Sequence, residues 1–202
     1  MNEPMTVVTD YALGGVAAWL SLLLFRSPQT SSRLWAVAFA ALAAAAFLGG
    51  TWHGFVHSDL LWKATTLSAG VASFGMVAGS AYAVFSGAAR TLVMTAALAK
   101  LLVYSGWMLF HDQFIYVVVD TGIAFAVLAA LHLWKFSGPI LAGVAVSVIA
   151  GLVQASGLRL HEHFNHNDLY HVIQIAAVVL LYRGARRLKD CDGSASRAPS
   201  AR

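Results

Sequence analysis

The sequence LRLHEHFNHNDLYH (Leu158–His171) is followed at once by the apolar run VIQIAAVVLL (Val172–Leu181). The first segment places four histidines, two carboxylates and two asparagines within fourteen residues. The whole chain is 59% hydrophobic and only 11% charged, whereas a soluble domain carries about 25% charged residues. Together with a mean hydropathy of +0.70, this composition predicts an all-α integral membrane protein with most of its surface facing lipid.

The apolar segments have the lengths of membrane spans. A helix needs roughly 20 mostly apolar residues to cross the hydrocarbon core of a bilayer. The seventh segment is short unless its polar start, which Asn165 or Asn167 is expected to cap, also enters the membrane. The sequence therefore predicts a seven-transmembrane helix bundle that forms one domain over residues 1–189. The predicted spans are Val7–Phe25, Leu34–Trp52, Leu60–Phe85, Ala89–Phe110, Phe114–Trp134, Pro139–Leu158 and Leu169–Tyr182.

The basic residues predict the orientation of the bundle. Eight of them fall on one side under a seven-span count: Arg26, Arg33, Arg90, Lys135, Arg183, Arg186, Arg187 and Lys189. The positive-inside rule makes that side cytoplasmic, so the N-terminus lies outside and the C-terminus inside. The acidic residues Glu3 and Asp10 in the N-terminal segment agree with this orientation.

The same distribution bears on partners and location. The net charge of +4 comes from helix ends and the tail, so we expect no nucleic-acid partner. The expected partner is the lipid bilayer. Residues 190–202 are rich in Gly, Ser, Ala and Arg and are predicted to form a disordered cytoplasmic tail. Small size, a high Ala and Gly content and the lack of glycosylation sequons favour a bacterial inner membrane. The sequence leaves the oligomeric state open.

The histidines are distributed very unevenly between the two sides. Under the seven-span topology, seven of the eight histidines fall on the extracytoplasmic side, and only His132 falls on the other. Random scatter would divide them more evenly, so this clustering is the main functional feature of the sequence. The seven are His53, His57, His111, His161, His163, His166 and His171.

Spacing predicts metal ligands among these histidines. His53 and His57 are four residues apart and would share a face on a continuing helix. Asp168 and His171 are three apart and would share a face of helix seven, where His166 could join them. Imidazole and carboxylate ligands suit zinc. The alternative is that these side chains only lie at the level of the lipid headgroups.

Two charged residues lie deeper within the predicted spans. Lys100 is near the middle of helix four, and Asp120 is about two turns inside helix five. Either charge alone would be costly in hydrocarbon, so both are expected to face the bundle interior. They are predicted to form an ion pair, or Asp120 is a proton acceptor or a partner that orients a ligand histidine.

The segments TWHGFVH (Thr51–His57) and HNDLYH (His166–His171) resemble motifs of the CREST superfamily, which includes alkaline ceramidases and progestin/adipoQ-type receptors. The resemblance implies seven helices, a zinc ion held by a histidine late in helix two and histidines early in helix seven, and hydrolysis of lipid amides. The chain departs from the family pattern in three ways, one of which is that the family's helix-three aspartate has no clear counterpart, although Asp59 just precedes that helix. Gly49 stands where the family has serine, and Asn167 stands where it has the first helix-seven histidine.

The leading hypothesis is therefore a zinc-dependent integral-membrane hydrolase of a lipid amide or ester. The predicted metal ligands are His53 and His171. One or more of His57, His166 and Asp168 would complete the set, and Asp120 or Asp168 would be the general base. Alternatives are a haem-binding redox protein with two of the histidines as axial ligands, or a metal or proton transporter in which Lys100 belongs to a relay. A receptor or structural bundle that keeps the metal without catalysis is a further alternative.

Overall fold

The computed structural model describes residues 3–135, 137–161 and 164–191. They form seven α-helices: α1 (Pro4–Phe25), α2 (Thr30–Gly54), α3 (Asp59–Val84), α4 (Gly87–Phe110), α5 (Ile115–Trp134), α6 (Gly138–Ser156) and α7 (His166–Ala185). Six of them, α1 to α6, are long and apolar enough to cross a membrane. The prediction of an all-helical membrane protein agrees with this structure.

The helices pack mainly in two groups. α1, α2 and α3 form consecutive neighbours, and α7 packs against both α6 and α1. α3 also contacts α4 and α5, whereas α4 and α5 barely touch one another. As a result α4 is the least buried of the six long apolar helices.

The two ends of the bundle differ in chemistry. We call the end where α1, α3, α5 and α7 begin the histidine end, and the opposite end, where α2, α4 and α6 begin, the arginine end. Short connections keep the helices antiparallel in sequence order, as expected for a single bundle.

Glycines bring helix backbones close together. A Cβ atom on Gly75 or Gly79 of α3 would lie 2.9 Å from the Ala38 nitrogen or 2.7 Å from the Ser31 oxygen on α2. In the same way, a Cβ on Gly143 of α6 would lie 2.9 Å from the Leu181 nitrogen on α7. Small residues permit such close helix packing where lipid supplies little hydrophobic driving force.

The C-terminal residues close the arginine end. Gln29, the N-cap of α2, makes no capping hydrogen bond with its own side chain. Instead the Asp190 carboxylate accepts hydrogen bonds of 2.8 Å each from the Thr30 and Ser31 backbone N–H groups, and the Cys191 N–H donates to the Tyr82 carbonyl. Asp190 and Cys191, which were expected to begin the disordered tail, are therefore held by the bundle. The remaining tail residues, 192–202, lie outside the described residues.

Asp190→Ala is expected to lower the free energy of unfolding at pH 7 by about 1 kcal/mol, the usual effect of losing a helix cap. Burial alone would raise the pKa of Asp190, but the hydrogen bonds from Ser31 and Thr30 outweigh it and the pKa is lowered. The stabilisation is thus fully present above the unfolded-state pKa of about 3.9 and is lost as the pH falls through the lower folded pKa. Unfolding in detergent from pH 7 to pH 3 measures the difference. The control is Lys189→Ala at the exposed neighbouring residue.

Candidate functional site at the histidine end

The first three turns of α1 carry a buried polar face. Thr6, Thr9 and Asp10 are 1%, 6% and 5% exposed, and their spacing of three or four residues places Thr6 and Asp10 on one side of the helix. A Cβ on Gly50 of α2 would lie 2.9 Å from the Asp10 Cβ. The glycine thus lets the α2 backbone approach the carboxylate-bearing side of α1.

His171 of α7 is hydrogen-bonded to this face through both ring nitrogens. Its Nε2 lies 3.1 Å from Asp10 Oδ1, and its Nδ1 lies 3.1 Å from Thr9 Oγ1. If the Thr9 hydroxyl donates to Nδ1, then Nε2 carries a proton and donates to Asp10. If Nδ1 donates to Thr9, either Nε2 or the Asp10 carboxyl carries a proton between them. In every arrangement a proton lies between Nε2 and Oδ1.

His53 lies in the last turn of α2 and extends the cluster toward solvent. Its Nδ1 is 2.8 Å from Glu3 Oε2, and the two side chains are 24% and 40% exposed. His53 is close enough to His171 for the two rings to interact electrostatically. Asp10 interacts in the same way with Glu3 and Asp168. Helices α1, α2 and α7 therefore bring two imidazoles and three carboxylates together.

Asp168 ties the start of α7 to α1. Its Oδ1 accepts a hydrogen bond of 2.8 Å from the Thr6 hydroxyl, and its Oδ2 accepts one of 2.7 Å from the Asn165 N–H. The Asn165 side chain in turn accepts from the Asp168 N–H at 3.4 Å, which completes a capping box, and it also accepts from the Asn167 N–H at 2.8 Å. The expectation of an asparagine N-cap is confirmed at Asn165. Asp168 is only 1% exposed, and both of its oxygens hold structural hydrogen bonds.

No hydrogen bond or ion pair among the described residues joins the other two predicted ligand histidines to this cluster. α2 ends at Gly54, so the expectation that His53 and His57 share a helical face is wrong: the chain has already left the helix at His57. His57 is exposed, and its ring packs against Trp52 with the ring centroids 4.6 Å apart. His166 is the first residue of α7. Its buried Nδ1 has no hydrogen-bond partner in the described part of the chain.

Lys100 and Asp120 form the predicted ion pair between α4 and α5. Lys100 Nζ pairs with Asp120 Oδ1 and also donates to the Asp120 backbone carbonyl at 3.2 Å. Within residues 3–135, 137–161 and 164–191, no hydrogen bond or ion pair connects this pair with Asp10, His53 or His171. The structure therefore does not bring Asp120 to the cluster on α1, α2 and α7.

Two further observations describe the electrostatics of the cluster. Among the described residues, no group of three His, Cys, Asp or Glu side chains is arranged to hold a metal ion. His163, which belongs to the same histidine-rich segment, lies outside the described residues. No Lys or Arg within the described ranges forms an ion pair with Glu3, Asp10 or Asp168. The positive charge in direct contact with these carboxylates can come only from a histidine in the described structure.

Helices of this length and apolarity around a buried polar cluster define a multi-helix membrane protein. The model of a family of unknown function (DUF6962) matches residues 5–190, and the chain belongs to that family. The match begins within α1 and ends at Asp190, so it covers all seven helices. No curated protein and no solved structure matches the chain.

Sequence reasoning found the α2 and α7 members of the cluster and missed those on α1. Glu3 and Asp10 were interpreted only as an indication of membrane orientation. Asp10 nevertheless lies within a predicted apolar span, where an ionisable residue is a functional candidate by default. The polar positions Glu3, Thr6 and Asp10 also follow helical spacing. These two features together could have shown that α1 is the third helix to contribute residues to the site.

Proposed function

We propose that the protein is a zinc-dependent hydrolase of a lipid amide or ester, with its metal held at the histidine end. The observation that carries this proposal is a cluster in which the buried carboxylates Asp10 and Asp168 and the partly exposed Glu3 lie with His53 and His171, with no Lys or Arg partner in the described structure. Buried carboxylates need a compensating cation or a proton. A divalent ion would supply that charge.

The donor set suits zinc in the types of its ligands, and the side chains would have to move closer together around the ion, because no three of them are arranged to hold a metal among the described residues. Two imidazoles and a carboxylate are a familiar set of protein ligands for a catalytic zinc that keeps an open position for water. In this chain His53 and His171 would hold the ion, with Asp10 or Glu3 as the carboxylate. Asp10 replaces the predicted ligands His57 and His166 in the proposal because it is bonded to His171.

The residues around the ion would have separate roles. A bound zinc supplies a water of lowered pKa and polarises the scissile carbonyl. Thr9 fixes the His171 ring through Nδ1 and so directs Nε2 toward the cluster. Asp10 Oδ1 already shares a hydrogen-bonding proton with His171 Nε2. Asp10 is therefore suited to act as the general base in place of Asp120 or Asp168. Asp168 keeps α7 in place against Thr6.

The proposed membrane arrangement places this chemistry outside the cell. All seven helices span the membrane, the histidine end is extracytoplasmic and the arginine end is cytoplasmic, because the basic residues collect at the latter. We propose a bacterial inner membrane as the location. A substrate with acyl chains would then reach the cluster sideways from the outer leaflet.

The test is a metal analysis of the purified protein after loading with zinc and removal of excess ion. We expect stoichiometric zinc in the wild type and a loss of at least about tenfold in zinc affinity in His171→Ala and His53→Ala. His111→Ala is the matched control, since His111 lies at the same end but stacks on Trp107. Zinc-free wild-type protein after loading would exclude the proposal. Release of fatty acid from fluorescent lipid amides and esters then tests the hydrolysis.

A metal or proton transporter is the second candidate. Buried polar groups also lie toward the arginine end: His132 is 1% exposed and bonds Ser80 at 2.9 Å, while Ser73 Oγ and His132 Nδ1 have no partner in the described structure. Zinc or proton flux into proteoliposomes that depends on His132 would favour transport over hydrolysis. A haem-binding redox protein would instead show a Soret band in the purified protein.

A further inference from the structure

The Glu3 side chain stands at the start of α1 but does not cap that helix. Side-chain oxygens at the N-cap commonly accept hydrogen bonds from the first N–H groups of a helix, and the Glu3 carboxylate makes no such bond. Its Oε2 lies 2.8 Å from His53 Nδ1 on α2. That oxygen is buried, and no described hydrogen bond competes for it. His53 is therefore the described ion-pair partner of the Glu3 carboxylate.

The two nitrogens of the His53 ring have different surroundings. Nδ1 faces Glu3, and the ring also makes an edge-to-face contact with Trp52, with the ring centroids 5.1 Å apart. Nε2 is not among the buried polar atoms without partners, and it makes no described hydrogen bond. A neutral imidazole carries its proton on one of its two nitrogens. A carboxylate at Nδ1 favours the proton there, which leaves the lone pair on Nε2.

His171 divides its two nitrogens in a similar way. Thr9 Oγ1 lies 3.1 Å from His171 Nδ1, just as Glu3 lies at Nδ1 of His53. The hydrogen bond at one ring nitrogen determines that the other nitrogen binds a metal. Nε2 is then the ligand nitrogen of both rings. Asp10 Oδ1 lies 3.1 Å from the Nε2 of His171, whereas Glu3 lies at the nitrogen that does not bind the ion.

We infer that Glu3 is a positioning residue that fixes the His53 ring with Nε2 as its ligand nitrogen. The inference rests on the proposed zinc centre, and it assigns the carboxylate ligand of that centre to Asp10. Histidines that bind metals commonly donate their other N–H to a carboxylate, which orients the ring and makes the ligand nitrogen more basic. Loss of such a carboxylate lowers metal affinity by roughly 10- to 100-fold.

The first experiment needs no zinc. Nitrogen-15 NMR of the histidine-labelled, metal-free full-length protein in detergent at alkaline pH shows which ring nitrogen carries the proton. We expect the Nδ1–H tautomer for His53 in the wild type and a loss of this preference in Glu3→Ala. His111 is the internal control, since its Nδ1 lies 2.9 Å from the Trp107 carbonyl. A wild-type His53 protonated on Nε2, or an unchanged tautomer in Glu3→Ala, would overturn the inference.

The second experiment compares the zinc affinity of purified variants. Glu3→Ala should raise the Kd for zinc at least about tenfold. Glu3→Gln keeps a side-chain oxygen that accepts from the His53 N–H, so it should recover most of that loss. Asp112→Ala is the matched control at the same end, because Asp112 is 65% exposed and pairs with Lys63. Equal losses in Glu3→Gln and Glu3→Ala would make Glu3 a ligand of the ion and overturn the inference.

The positioning role and the zinc centre fail separately. Zinc-free wild-type protein after loading would exclude the proposed hydrolase, while the His53 tautomer in metal-free protein still decides what Glu3 does. If the wild type and Glu3→Ala bind zinc equally well, the zinc centre stands and the positioning role of Glu3 is excluded.

Discussion

Lys100→Met is expected to lower the free energy of unfolding by about 3–5 kcal/mol, because it leaves the Asp120 carboxylate buried without its counter-charge. Asp120 is 5% exposed, and Lys100 is its described ion-pair partner. The measurement is equilibrium unfolding in mixed detergent micelles. Lys135→Met is the control, since Lys135 is exposed and its loss should change stability by no more than about 0.5 kcal/mol.

The double variant Lys100→Met/Asp120→Leu separates the cost of an unpaired charge from the value of the pair. Replacing both members of a buried ion pair with apolar residues is often neutral or stabilising. We therefore expect the double variant to recover most of the loss seen in Lys100→Met. Asp120→Leu completes the cycle, and a double-variant loss equal to the sum of the two single-variant losses would show that the two residues are not energetically coupled.

Asp168→Ala is expected to cost about 2–4 kcal/mol of stability. The substitution removes the capping box at the start of α7, and it leaves the buried Thr6 hydroxyl and the Asn165 N–H without their acceptor. Thermal unfolding in detergent measures the loss. Asp59→Ala is the matched control, since Asp59 also lies in the first turn of a helix but is exposed.

The conservative variants distinguish a positioning role for Asp168 from a chemical role. Asp168→Asn keeps an acceptor for Thr6 and should retain zinc binding within about a factor of ten. Asp10→Asn should reduce zinc binding more strongly, because the proposal makes Asp10 a ligand or the general base. If Asp168→Asn loses the metal while Asp10→Asn keeps it, the roles assigned to the two carboxylates are reversed.

The helices were predictable because hydropathy and length are local properties of the chain. Each predicted span overlaps an observed helix. The shortest predicted span, Leu169–Tyr182, corresponds to α7, which runs from His166 to Ala185. The helix begins earlier because Asn165 and Asp168 cap it and because the Thr6 hydroxyl donates a hydrogen bond to Asp168, which holds the polar start of the helix against α1. Seven membrane spans and their orientation remain part of the proposal.

The candidate site was only partly predictable because the residues that form it are far apart in sequence. His53, Asp168 and His171 could be found by counting which side of the membrane each residue occupies. The contact of Thr9 with His171 joins residues 162 positions apart, and no local pattern encodes it. His57 was predicted on a continuing helix, and nothing in the spacing alone showed that α2 would end at Gly54.

The contact between α1 and α7 has a consequence for biosynthesis. Asp10 belongs to α1, the first of these seven helices to be made, whereas His171, its hydrogen-bond partner, belongs to α7, the last of the seven. Asp190, which caps the start of α2, is made later still. The nascent chain therefore carries an Asp10 without its histidine and an α2 without its cap until α7 and Asp190 have been made. Only then can the seven helices close into the bundle.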